Sequence, residues 1–131
     1  MKFEFKLSKM PTTQQQKGIS YKNGKPAFYN RKGTTNRELQ LLLSRYKPKK
    51  GFSKEQHLIL DIVFTYAVKN KKQWGKPKPT RPDLDNLLKN IQDYMTKFGY
   101  YADDSQLVVV CARKFYGDEN KIEIEITEVK E

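Results

Sequence analysis

The sequence predicts a single α+β domain: one mixed β-sheet with two main helices packed on one face. Three observations carry that prediction. Four stretches, 2–7, 57–68, 107–116 and 121–129, have the alternation or the β-branched, aromatic character of strands. Two others repeat apolar residues at spacings of three and four, as amphipathic helices do. These pieces follow one another as β, loop, α, β, basic loop, α, β, β within 131 residues and without internal repeat, which is one domain's worth of chain.

Each element has its own justification. "KFEFKL" puts Phe3, Phe5 and Leu7 on one side of a half-buried strand. Residues 8–34 lack periodicity and are rich in Lys, Gln, Thr and Gly. They read as a mobile basic segment holding a hairpin turn at "NGK", 23–25. In "TTNRELQLLLSRYKPKK" the apolar positions Leu39, Leu42, Leu43 and Tyr46 predict a helix, with Thr35 or Asn36 to cap it and Pro48 to end it. "HLILDIVFTYAV", 57–68, predicts a long, mostly buried strand, and His57 before it an ordinary surface or edge residue. Residues 69–82 read as a second mobile basic loop. A helix then opens at Asp83, with Leu84, Leu87, Leu88, Ile91, Tyr94, Met95 and Phe98 on one face and Gly99 closing it. "LVVVCARKFY" predicts a buried strand, with Cys111 as a small core hydrophobe. "KIEIEITEV" alternates, with Ile122, Ile124 and Ile126 inward. Joined by "GDEN", these two predict an antiparallel hairpin.

Charge narrows the function. The chain carries a formal +11, unevenly spread. Residues 1–82 hold 20 Lys and Arg against 4 Asp and Glu, whereas residues 83–131 hold 6 against 11. A basic surface of that size selects polyanions, nucleic acid first. No apolar run approaches the roughly 18 residues of a membrane span, and the start lacks the apolar core of a signal peptide. One cysteine excludes an intrachain disulfide. Together these predict a cytoplasmic protein with no membrane contact.

The acids that follow the basic loop are open to two readings. In one they are helical furniture. Asp85, Lys89, Asp93 and Lys97 are spaced by four, a ladder worth about 0.2–0.5 kcal/mol per pair. Asp83 stands at the positive end of the helix dipole, and Asp103 and Asp104 make a turn. In the other they act together. Asp83 and Asp85 can share a divalent cation where the chain enters the helix, and the connector after Gly99 can return Asp103 and Asp104 towards them. Magnesium needs few protein oxygens because it keeps several waters. Lys89, one turn from Asp85, can meet a phosphate oxygen or the attacking water. Acids, lysine and basic loop then make the parts list for hydrolysing a phosphodiester.

"RPDLDNLLKNIQDYM" followed by "YYADDSQLVVVCARKFY" resembles the RusA family of Holliday junction resolvases, which is common in phages and prophages. The elements are an Asp pair with one residue between, an Asn, a Lys four residues after the second Asp, and an acidic pair before a strand ending in basic residues. Here they are Asp83, Asp85, Asn86, Lys89, Asp103, Asp104, Arg113 and Lys114. The resemblance is strong over 78–116; "MPTTQQQKG" matches more loosely. It implies a RusA-like fold and a homodimeric endonuclease that cuts four-way DNA junctions during recombination and repair. The implied cofactor is Mg2+, for which Mn2+ can substitute. By position Asp83, Asp85 and Asp104 match the metal ligands and Lys89 the catalytic lysine. Asp103 is the weakest match, since neighbours on an extended chain point apart.

Lys69, Lys71, Lys72, Lys76, Lys78 and Arg81 are then expected to hold phosphate backbone without regard to sequence, alongside Arg113 and Lys114. Trp74 and tyrosines can stack on unpaired bases. Two other readings fit the same residues: a less selective structure-specific nuclease acting on forks or flaps, and a non-catalytic nucleic-acid-binding module.

Overall fold

The computed structural model describes residues 1–11, 17–22, 25–30 and 36–130. Among the described residues lie six strands and two helices, of which four strands and both helices follow the expected order. They are β1 (Lys2–Lys6), β2 (Lys17–Lys22), β3 (Lys25–Asn30), α1 (Arg37–Tyr46), β4 (Leu58–Ala67), α2 (Leu84–Lys97), β5 (Leu107–Gly117) and β6 (Lys121–Glu128). β2 and β3 form a separate antiparallel pair inside the segment read from sequence as a basic loop. The expected turn at Asn23 and Gly24, and the Thr35 cap, lie outside the described residues.

The main sheet runs β1-β6-β4-β5, with β4–β5 parallel and the other pairs antiparallel. It is the mixed sheet expected. Alternation along β4 explains its single covered face: Leu58, Leu60, Ile62 and Phe64 are buried, while the residues between them are half-exposed. β6 contributes Ile122, Ile124 and Ile126 to the same layer, and β1 contributes Phe5. Leu39 and Leu43 of α1 and Leu87, Ile91 and Met95 of α2 close over them. Among the described residues no helix is long and apolar enough to cross a membrane.

The expected β5–β6 hairpin does not form, because β4 lies between the two strands. The turn after Gly117 instead wraps the end of β4: Val68 N–H donates to the Gly117 carbonyl and Ala67 N–H to Asn120 Oδ1. A Cβ on Gly117 would come within 2.4 Å of Thr65 Cγ2, so this close wrap needs glycine. The displacement puts β5 at the sheet edge. Its apolar run is therefore exposed rather than buried: Val108, Val109, Val110 and Cys111 all face solvent. The expectation of a core cysteine fails for that reason.

Candidate active site

The acidic residues stand at two junctions of the fold. Asp83 precedes the first turn of α2, and Asp85 lies within that turn. Asp103 and Asp104 open the 3-10 turn Asp104–Gln106, which packs against α2 and leads into β5. Asp83, Asp85, Lys89, Asp103 and Asp104 are all exposed.

The helical-furniture reading holds in part: Asp83 stands at the N-terminus of α2 and Asp103 and Asp104 make a turn, but the capping bond and the ladder pairs do not form. Asp83 occupies the N-cap position, yet its side chain makes no capping hydrogen bond. Neither Asp85–Lys89 nor Asp93–Lys97 is among the ion pairs formed within 4.0 Å by the described residues. The carboxylates of Asp83 and Asp85 and the ammonium of Lys89 are thus uncommitted. Asp103 differs. It accepts a hydrogen bond from Ser105 Oγ, and that bond, with smaller contributions from the turn, lowers its pKa. Its side chain is spent on the turn, which suits a residue that shapes the site rather than one that ligates.

Gln106 is the residue that sequence reasoning missed. It is 7% exposed, and its amide clamps two loops. Oε1 accepts from Ala102 and Asp103 N–H at 2.8 and 3.0 Å, while Nε2 donates to the Ser53 and Gln56 carbonyls at 2.7 and 2.9 Å. The signal was available, for Asp-x-x-Gln is a capping-box spacing. Gln106→Ala is expected to cost about 1–3 kcal/mol, the penalty for stranding buried polar groups. Urea unfolding checks it, and an unchanged midpoint would reduce the clamp to a surface contact.

The basic residues divide into three groups. Lys69, Lys71, Lys72, Lys76 and Arg81 are exposed, and so is Trp74, whose indole N–H is tied to the Val68 carbonyl. Their loop is laid along the edge of β5 by Gly75 N–H to Tyr116 O, Tyr116 N–H to Lys76 O and Lys78 N–H to Lys114 O. Lys78 and Lys114 turn inward. Lys78 Nζ lies over the Tyr66 ring, 4.9 Å from its centroid, and donates to the Arg81 carbonyl. Lys114 Nζ donates to the Thr80 and Pro82 carbonyls at 2.7 Å each. Both therefore fix the turn that delivers Asp83. Arg113 points to the opposite face of the sheet, since adjacent strand residues alternate; there it pairs with Asp61 at 3.0 Å. The structure brings Lys114 to the acidic site and keeps Arg113 from it.

A cavity of about 470 Å³ adjoins Asp83, lined by Met10, Pro11, Tyr66, Arg81, Pro82 and Asn86. Behind the site the tyrosines are structural. Tyr100 is buried and its hydroxyl donates to Leu43 O, while Tyr101 donates to Gln92 O on α2. Burial raises the pKa of Tyr101, a side-chain hydrogen bond with Thr96 lowers it, and the charges of Asp104, Asp93 and Asp103 raise it further. His57 is exposed. Oxygen-only, uncommitted carboxylates suit a hard cation in chemistry. As placed, no three His, Cys, Asp or Glu among the described residues form a group that could hold a metal ion.

Comparison with known proteins agrees with the motif. The family model described as "Endodeoxyribonuclease RusA" matches residues 9–127. The chain is 58% identical over 127 residues to the crossover junction endodeoxyribonuclease rusA of Lactococcus phage r1t, covering 97% of each chain. Shorter matches at 40% identity link it to the uncharacterized protein YqaN of Bacillus subtilis, over 47% of this chain and 43% of that one. A further 40% match reaches the crossover junction endodeoxyribonuclease RusA of Escherichia coli K12, over 40% and 44%.

Proposed function

Because the chain belongs to the RusA endodeoxyribonuclease family, we propose that it is a crossover junction endodeoxyribonuclease. In this reading it hydrolyses phosphodiester bonds at four-way DNA junctions, as a magnesium-dependent homodimer that makes paired symmetric nicks. It works on DNA in the cytoplasm of a bacterial host, in recombination and repair, and is of phage or prophage origin. The observation that carries the reading is the uncommitted trio at the start of α2: Asp83 and Asp85 free of caps and ion pairs, with Lys89 one turn on. Two free carboxylates on a surface that must approach phosphate are costly for a protein that only binds.

Roles follow from the match to the family's motif. Asp83, Asp85 and Asp104 would hold the magnesium ion, which supplies Lewis-acid polarisation of a phosphoryl oxygen and an activated water. Lys89 offsets charge building on the phosphate. Lys69, Lys71, Lys72, Lys76 and Arg81 grip the flanking backbone, and the exposed face of Trp74 offers a stacking surface. Lys78 and Lys114 act from behind by holding the Thr80–Pro82 turn.

The test is incubation of the protein with labelled four-way junction, fork, linear duplex and single strand, with and without magnesium. Nicks in opposed strands of the junction alone are the expected result. Equal cutting of forks would make it a less selective nuclease. Binding without cleavage in any divalent metal would reduce it to a binding module.

A further inference from the structure

We propose that the turn after α1, residues 45–54, is a second grip for duplex DNA, holding the backbone of a junction arm away from the cut. The inference rests on the junction-binding reading above and adds a surface to it. "RYKPKKGFSK" carries Arg45, Lys47, Lys49, Lys50 and Lys54 and no acid. All five cations are exposed. None of them forms an ion pair or a side-chain hydrogen bond among the described residues. The helix dipole accounts for one: Arg45 stands in the last turn of α1, where a cation is favoured. Lys47 follows the helix with φ −57° and ψ 140°, the extended backbone that suits a residue before proline, and the other three lie beyond it. Like charges this close, with no acid among them, repel one another until an anion faces them.

The backbone beneath these cations is pinned along its length. At its start the Tyr46 ring stacks on Phe3, with centroids 5.2 Å apart and planes 14° from parallel. Further on, Phe52 N–H donates to the Tyr100 carbonyl at 2.9 Å. A Cβ on Gly51 would come within 2.0 Å of the Gly99 carbonyl oxygen, so this close approach needs glycine. Past it, the Gln106 amide holds the Ser53 and Gln56 carbonyls. A row of cations on fixed backbone loses less freedom on meeting phosphate than a loose tail would.

Position separates this grip from the first. The basic loop 69–82 leads into α2 at Asp83, whereas Gly51 and Phe52 pack on Gly99 and Tyr100, just past the other end of that helix. The 14 residues of α2, at 1.5 Å each, put about 21 Å between the two ends. That is roughly six phosphates along one strand of a duplex. A phosphate held near Asp83 therefore cannot also meet the 45–54 turn, and a second stretch of backbone is needed to neutralise it. Residues 47–50 offer three cations and Pro48, with no aromatic ring to stack on a base and no apolar face to enter lipid. Duplex backbone is the occupant that this chemistry suits.

The test combines Lys47→Gln, Lys49→Gln and Lys50→Gln in one protein. Lys2→Gln, Lys6→Gln and Lys130→Gln make a control with the same net charge; Lys2 and Lys6 form only exposed ion pairs, on β1, and Lys130 is exposed. Binding to four-way junctions with long or short arms is measured across a salt series without divalent metal. On long arms the 47/49/50 variant should bind about a hundredfold more weakly at about 0.1 M salt, with a log–log slope flatter by roughly 2.7, or 0.9 for each of three contacts. The control should keep the wild-type slope. Arms too short to pass the far end of α2 should bind wild type and variant alike. A variant with the control's slope, or one weakened equally on short arms, would overturn the grip and leave the nuclease reading standing. So would a variant that loses phosphatidylserine vesicles and keeps DNA. A wild type that shows the expected slopes yet cuts nothing with magnesium would sink the nuclease reading and leave the grip. Should the triple variant fail to fold, Lys49→Gln alone should still flatten the slope by about 0.9, and an unchanged slope would overturn the proposal.

Discussion

Asp83→Asn is expected to abolish cleavage of a four-way junction while leaving junction binding intact, and Asp85→Asn and Asp104→Asn to do the same. The amide keeps the shape of the side chain and removes the charge that would hold a hard cation. None of the three carboxylates is engaged in an ion pair among the described residues, so the exchange breaks no salt bridge. Unfolding midpoints should therefore match the wild type, which separates lost chemistry from lost structure. Binding should hold or tighten slightly, since a negative charge facing phosphate has gone. The measurement is the single-turnover rate at saturating protein, with Asp118→Asn, at the far end of β5, as control. Substantial magnesium-dependent cutting by any one variant would remove that residue from the metal set.

Lys89→Ala is expected to lower the single-turnover rate by about 10²–10³, the usual loss when one charge-stabilising group is removed from a developing oxyanion. Affinity should change little, because a single phosphate contact is a small part of the whole. Replacing Lys71, Lys72 and Lys76 together should do the reverse. Binding weakens and its log–log salt slope flattens by roughly 0.9 per lost contact, while the rate at saturation persists. The contrast follows from position: Lys89 projects from the helix that carries Asp85, whereas the three lysines lie on the loop along β5. A Lys89→Ala protein that is slow only through weak binding would return this lysine to the backbone-gripping set.

The sequence by itself determined whatever depends on neighbours along the chain. Spacings of four in Leu87, Ile91 and Met95 set the buried face of α2, and alternation in "KIEIEITEV" set the inward row of β6. The Asp83-x-Asp85 pair, the Lys four residues later and the Asp103–Asp104 doublet could be read as one motif, because short separations survive any packing of the elements that carry them. Tertiary structure decided the rest. Which strands pair depends on the whole sheet, so β4 could enter between β5 and β6 although only a short turn joins those two. That single choice put "LVVVC" at an edge and exposed valines whose composition alone says core. Strand alternation already sends Arg113 and Lys114, adjacent in sequence, to opposite faces; the tertiary structure supplied their partners, Asp61 for one and the turn before Asp83 for the other. Composition records how apolar or charged a strand is. Only its partners decide which of its sides meets water, because burial belongs to the assembled sheet and not to the strand.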